Sequence, residues 1–295
     1  MTESDWLAEG FEKNRTRLRA VGYRMLGSLA EADDAVQDAW LRLSQSNTSD
    51  VENLDAWLTT ILVRVCLNTL RSRNARREEP MGVHVPDPII SRIDAANPED
   101  VVLLADSVGL ALQVVLDTLA PAERVALVLH DLFDLTFNEI APMVGRTPAT
   151  TRQLASRARR RVKDADLRAP DPDIGRQRDV VDAFFGAAHR GDLDALIAVL
   201  DPDVVLRCDG GTARPDASVV LHGAAAVAGG TLEIAQSSIP KRPVLVNGAA
   251  GVIVTVAGHL VAVMGFTVSR GKIVTIDAIV DPERLHRFDL TALDN

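Results

Sequence analysis

Two proline clusters limit what this chain of 295 residues can fold into. Pro80, Pro86, Pro88 and Pro98, together with Gly82, crowd one stretch, and Ala169-Pro170-Asp171-Pro172-Asp173 forms a second. Proline fixes φ and lacks an N–H, so the first cluster reads as a linker and not as an element. The second reads as a short, stiff connector. Three blocks result, with expected boundaries at 1–79, 99–168 and 174–290 and a linker over 80–98. Length alone, at roughly 150 residues per domain, suggests about two domains.

Block one is periodic in the helical sense. The spacing predicts a helix from Trp6 to Leu26, closed by Gly27 as a C-cap. Ser28-Leu29-Ala30-Glu31 has the form of a capping box, so a second helix starts there. Ala32, Val36, Ala39, Trp40 and Leu43 make its buried stripe. Asp33, Asp34, Gln37 and Asp38 occupy the other face, where a helix N-terminus favours carboxylates in any case. A third helix, Leu54 to Arg77, starts apolar and ends in Arg64, Arg71, Arg73, Arg76 and Arg77 with no acid among them. That ending suits the helix dipole as well as an anionic ligand.

Block two predicts a long amphipathic helix over Val101–Leu119, then a helix from Pro121 to Asp131 with proline at its first position. Thr136-Phe137-Asn138-Glu139 is a second capping box. Phe137, Ile140, Ala141 and Val144 share one face, and Gly145 stands where a left-handed C-cap belongs. Thr147 as N-cap and Pro148 at the first turn restart the chain into a helix that ends near Lys163. A short capped helix, a glycine turn and a basic helix form the helix-turn-helix pattern. Thr151, Leu154, Ala155, Ala158 and Val162 face the core. Arg152, Gln153, Ser156 and Arg160 point outward, with Arg157 and Arg159 beside them. Such a face suits base edges and phosphates in a major groove. Arg146 to Lys163 contains seven Lys plus Arg and no acid, whereas a solvated helix face usually mixes signs.

The whole-chain charge points the other way. It is −9, from 32 basic and 41 acidic residues, and taken alone it argues against nucleic acid. Only the two basic helix segments reverse that inference locally. Aromatic content of 4% disfavours a stacking platform for single strands. Cys66 and Cys208 fit no metal or disulfide spacing, and the six histidines form no HExxH or His/Cys cluster, so neither metal nor cofactor is expected. The charged N-terminus has no apolar signal region. Gly248–Val268 is apolar enough to span a bilayer, but its valines and interrupting glycines fit two buried strands better. The expectation is a soluble cytoplasmic protein without membrane contact.

Five motifs in order resemble an extracytoplasmic-function sigma factor of bacterial RNA polymerase over Trp6–Val162. They are Arg24-Met25-Leu26-Gly27, Ala32 through Arg42, Ala56-Trp57-Leu58-Thr59-Thr60, Leu119 through Arg124, and Arg152 through Arg159. The resemblance implies that Asp33, Asp34, Gln37 and Asp38 dock on core polymerase. It implies that Asn68, Arg71, Arg73 and Arg76 bind the opened minus-ten element. Thr147, Arg152, Gln153, Ser156, Arg157, Arg159 and Arg160 would meet promoter DNA at the minus-thirty-five element. The loop Asn47–Leu54 would capture a flipped base, and the linker would thread toward the polymerase active-site channel.

Block three resembles a SnoaL-like domain of the NTF2-like superfamily. Val180 through Phe185, Arg190 through Leu196 and Leu200 through Val204 carry that likeness. The implied fold is multi-domain: two all-α sigma domains, the second with a helix-turn-helix, followed by an α+β NTF2-like cone. Its strands are expected at Val204–Asp209, Ser218–His222, Val244–Val246, Gly251–Ala257, Leu260–Ser269 and Lys272–Val280. Sigma factors with such an extension resemble a subgroup regulated in cis, marked by Trp-Leu-Pro-Glu-Pro, Asp-Gly-Gly-Gly-Lys and Asn-Pro-Asp-Lys-Leu. Here those stretches are His84-Val85-Pro86-Asp87-Pro88, Asp209-Gly210-Gly211-Thr212-Ala213-Arg214 and Asp281-Pro282-Glu283-Arg284-Leu285. Asp209, Gly210, Gly211, His222, His259, Asp277, Asp281 and Arg284 are thus candidate pocket or regulatory residues, with a small-molecule ligand possible. Two other readings stay open. The third block is an acid–base cyclase or isomerase, or the chain is an ordinary helix-turn-helix regulator.

Overall fold

Local chemistry sets the helix boundaries of the N-terminal half. The computed structural model describes residues 3–45, 53–76, 83–93, 109–165, 168–234 and 241–288. Helix α1 spans Glu3–Leu26 and stops at Gly27, whose φ of 76° lets its N–H reach the Tyr23 carbonyl at 2.8 Å. Helix α2 is Leu29–Gln45 and α3 is Leu54–Arg76, the latter capped by Asn53 Oδ1 accepting from the Ala56 N–H at 3.0 Å. Ala32, Val36, Ala39 and Leu43 of the expected stripe are buried, with Ala35. Trp40 is half-buried and stacks on Phe11 with ring centroids 4.9 Å apart.

Helix α4 is Gly109–Asp117, and the earlier part of the expected 101–119 helix lies outside the described residues. Helix α5, Pro121–Leu127, has proline at its start. It runs into a π-helical turn, Val128–Leu132, where an ordinary helix was expected. The capping box of Thr136 and Glu139 is fully formed at the head of α6, Phe137–Val144. Gly145 caps its end at φ 66°, and Thr147 caps α7, Pro148–Asp164.

The C-terminal half opens with α8, Ile174–Arg190, and α9, Leu193–Val199, each capped by an aspartate, Asp173 and Asp192. Strand β1, Ile90–Ser91, comes from the proline-rich linker. The rest are β2 (Leu200–Asp209), β3 (Val219–His222), β4 (Lys241–Val246), β5 (Ala249–Val256), β6 (His259–Ser269) and β7 (Lys272–Ile279). Helix α10, Ala224–Ile234, follows β3, and α11, Pro282–Leu285, follows β7. The sheet order is β1-β4-β5-β6-β7-β2-β3, antiparallel except for the parallel β2–β7 pair. Gly248–Val268 forms β5 and β6, and no helix among the described residues is long and apolar enough to cross a membrane.

The chain forms two compact units. One holds Met1–Pro80, Pro98–Asp106 and Gln113–Asp166, so both helical blocks share it. The other holds Met81–Asn97, Ser107–Leu112 and Leu167–Asn295. The linker is therefore not a free connector. Prolines bar it from a long element, but Ile90 and Ser91 still pair with Val246 and Leu245.

The sheet is covered on both faces. Phe184, Leu196, Val227, Phe266 and Ile276 form the core under α8–α10, where Phe184, Phe185 and Phe266 meet edge to face. Val244, Val246, Ile253, Val263 and Ile279 form the opposite core, against Val85, Leu110 and Leu285. Gly265 lies there beneath Leu110, where an added Cβ would come within 3.3 Å of the leucine.

Candidate functional site

The acidic face of α2 is presented as a surface. Asp33, Asp34, Gln37 and Asp38 are exposed, and Arg19 of α1 holds the Asp33 carboxylate at 2.7 and 3.1 Å. Beside it, α1 and α2 enclose a groove of about 260 Å³, lined by Phe11, Glu12, Arg15, Gln37 and Trp40 among others. An apolar floor with charged walls suits an amphipathic protein element.

The basic end of α3 divides. Asn68 and Arg71 are exposed. Arg73 turns inward: it donates to the Leu26 carbonyl at 2.9 Å and ion-pairs with Glu31, tying α3 to the α1–α2 junction. The side chain of Arg76, and all of Arg77, lie outside the described residues, as does most of the 47–54 loop.

Helix α7 presents the face that its spacing implies. Thr151, Leu154, Ala155 and Ala158 are buried, and Arg152, Gln153, Ser156, Arg157, Arg159 and Arg160 are exposed. Tertiary structure supplies the acids that the helix itself lacks. Glu123 of α5 pairs with Arg157 at 3.3 Å and Arg161 at 3.1 Å. Asp131 in the π turn takes Arg159 through two bonds of 2.7 and 2.6 Å, and this raises the Arg159 pKa. No count within a sequence window reveals these pairs, because the acids precede α7 by one or more elements.

A buried cation also escaped sequence reasoning. Arg124, 1% exposed, donates to Asp117 at 2.8 Å and to the Arg24 carbonyl at 3.1 Å. Gln113, fully buried, donates to the Tyr23 carbonyl at 3.2 Å. Burial lowers the Arg124 pKa and Asp117 opposes that shift. Cys66 is buried in the same unit, and burial pushes its thiol up to about 12.

In the second unit, Asp209 and Arg284 clasp the linker. The Asp209 Oδ2 accepts from the Val85 N–H at 2.8 Å and from Arg284 Nη1 at 2.5 Å. Arg284 also donates to Asp87 at 2.9 Å and to the Val85 carbonyl at 2.5 Å. His84 Nδ1 lies 3.4 Å from the same Asp209 oxygen. Burial alone would raise the Asp209 pKa. His84, the Val85 and Gly211 N–H groups and Arg284 outweigh it and bring it to about 2. Asp281 caps α11 by accepting from the Glu283 N–H at 2.9 Å, which orients Arg284 three residues on. Gly210 and Gly211 make the turn tight: a Cβ at Gly211, where φ is 60°, would strike the Asp281 carboxylate. Asn247, buried, completes the clasp. Its Oδ1 accepts from the Ile89 N–H at 2.7 Å, and its own N–H donates to the Ile89 carbonyl at 2.8 Å. Its sequence signal, Asn247-Gly248, reads only as a hairpin turn.

The remaining candidates are dispersed. His222 is exposed on β3, at the sheet edge, and His259 is exposed at the first position of β6, with its Nδ1 3.1 Å from the Ala257 carbonyl. Asp277 is buried against Arg207 at 3.0 Å, and burial raises its pKa. None of these three joins the Asp209–Arg284 clasp. Alternation along β7 turns Asp277 away from the core under α8–α10, and the two histidines sit at strand ends in solvent.

Three helices with an acidic face and a basic end, a helix-turn-helix, and a covered α+β sheet define a DNA-binding initiation factor with an α+β extension. The comparisons agree. The Sigma-70 region 2 family matches residues 11–76, and Sigma-70, region 4 matches 109–162. The ECF RNA polymerase sigma factor SigJ of Mycobacterium tuberculosis is 36% identical over 93% of this chain and 91% of its own. The probable ECF sigma factor SigI of the same species is 35% identical over 97% of each. The crystal structure of M. tuberculosis SigJ superposes with a TM-score of 0.75 at 32% identity, covering 95% of this chain and 98% of that one. The chain belongs to the extracytoplasmic-function sigma factors. As such it directs bacterial RNA polymerase to promoters and initiates transcription there.

Proposed function

We infer that the C-terminal NTF2-like domain regulates this sigma factor in cis by holding the interdomain linker. The observation that carries the reading is Arg284, which joins Asp209 of the sheet to Val85 and Asp87 of the linker at 2.5–2.9 Å. A linker bonded along Val85, Ile89 and Ile90 is not at the same time free to lie in a polymerase channel. Because the clasp is intramolecular, it acts at high effective concentration without strong intrinsic affinity. Asp33, Asp34, Gln37 and Asp38 meet core polymerase in this reading. Asn68 and Arg71 meet the opened minus-ten strand, and the exposed face of α7 meets the minus-thirty-five duplex.

Run-off transcription with core polymerase tests it, comparing the full chain, Arg284→Met, and a chain ending near Arg168. More transcript from the two altered forms means that the clasp inhibits; less means that it supports initiation. Equal transcript from all three would remove the regulatory role. Failure to bind core polymerase at all would remove the docking role of α2.

A further inference from the structure

Four arginines of α7 are held in two chemically different ways. Arg157, Arg159 and Arg161 face carboxylates of Glu123 and Asp131. Arg152 instead lies over an aromatic ring, with its guanidinium carbon 5.4 Å from the centre of Phe137. The distinction matters because a carboxylate consumes guanidinium N–H donors, whereas a ring face attracts the cation and leaves all five donors in the plane free. Bidentate reading of guanine O6 and N7 needs two such free donors. Arg152 is also the fifth residue of α7, near the helix start that enters a groove first.

The ring under Arg152 is itself fixed. Phe137 is the first residue of α6, where the Thr136–Glu139 capping box sets the backbone, and its inner edge packs on Ala126, Leu154 and Ala155. The same ring meets His130, with ring centroids 4.0 Å apart and the planes tilted by 33°. His130 is held in turn by its Nδ1, 2.8 Å from the Leu135 carbonyl. The π turn is what allows this. It carries His130 beneath Phe137 and, one residue later, Asp131 against Arg159. π-helical turns concentrate at functional sites.

We propose that Phe137, stacked on His130, is a positioning residue for base-specific reading by Arg152. The Phe137 ring, fixed by His130 and in contact with Arg152, orients the guanidinium toward the base edges without occupying its donors, while the carboxylate-paired arginines face the backbone phosphates. This rests on the reading of α7 as the duplex-recognition helix.

The test uses the full chain with core polymerase on a promoter duplex randomised across the upstream element, scoring base preference at each position. Arg152→Ala flattens preference at one position. Phe137→Leu keeps the apolar packing but removes the ring, and weakens preference at that same position about two- to five-fold, the usual strength of an exposed cation–π contact. Phe137→Trp retains preference, and His130→Ala gives a smaller loss of the same kind. If Phe137→Leu does not fold, the Phe137→Trp and His130→Ala pair decides, and no change with His130→Ala overturns the proposal. So does Phe137→Leu if it weakens all sequences equally or leaves the profile unchanged while Arg152→Ala flattens it. An Arg152→Ala variant with no position-specific effect removes the base-reading role of α7 at this residue, and the positioning role with it.

Discussion

Arg284 and Asp209 meet at 2.5 Å although 75 residues separate them, and their side chains are only 13% and 3% exposed. Removing one partner of such a pair leaves the other buried and uncompensated, which costs about 3–5 kcal/mol. Arg284→Met is expected to destabilise the second unit by an amount of this order. It should also speed amide exchange at Val85 and Ile89, whose N–H groups bond to Asp209 and Asn247. Hydrogen exchange by mass spectrometry reads both. Unchanged protection over 83–93 would mean that the linker does not depend on the clasp.

Asp209 gives the clasp a pH dependence of known sign. Its folded pKa, about 2, lies below the unfolded carboxylate value, so it contributes stability above that unfolded value and loses it as pH falls through 2. The contribution is about 2 kcal/mol. Asp277 works in the opposite direction, since burial raises its pKa and acid relieves its cost. Urea unfolding between pH 5 and pH 2 is expected to show a steep loss for the native chain. Asp209→Asn should show a shallower one, starting from lower stability.

Asp131 restrains Arg159 at the surface. The pair is 28% and 44% exposed, so Asp131→Asn should cost no more than about 1 kcal/mol of stability. It frees a guanidinium for phosphate, however. The logarithmic salt dependence of promoter binding by the polymerase-bound chain is expected to steepen by about one counterion. An unchanged slope would place Arg159 away from the phosphates.

Cys66 should be chemically silent. It is fully buried and its thiol is pushed up to about 12, so almost no thiolate exists at neutral pH. Cys208 is half-buried with a raised pKa, so it should react slowly. A thiol reagent counted by mass is expected to label Cys208 first and Cys66 only on unfolding. Early labelling of Cys66 would show that the first unit opens.

Local chemistry in the sequence determined the helices, their caps and their faces. Thr136, Gly145, Thr147 and Pro148 act within a few residues of themselves, so the helix-turn-helix and the exposed face of α7 were legible directly. The strands of the third block were legible for the same reason, from period-two runs broken by glycine. What only the tertiary structure decided is which charges meet. Glu123 and Asp131 neutralise arginines of α7, and Arg73 turns inward to Glu31. Asp209, Asp281 and Arg284 converge, whereas His222, His259 and Asp277 do not. Linear spacing carries no information about contacts across 75 or 197 residues. The linker shows the limit best. Its prolines bar helix and long strand, yet Ile90 and Ser91 become a sheet edge because β4 offers unpaired backbone groups and Asn247 supplies the turn-side bonds. Whether a segment is a connector or a strand depends on the partner that satisfies its backbone, and that partner lies more than 150 residues further along the chain.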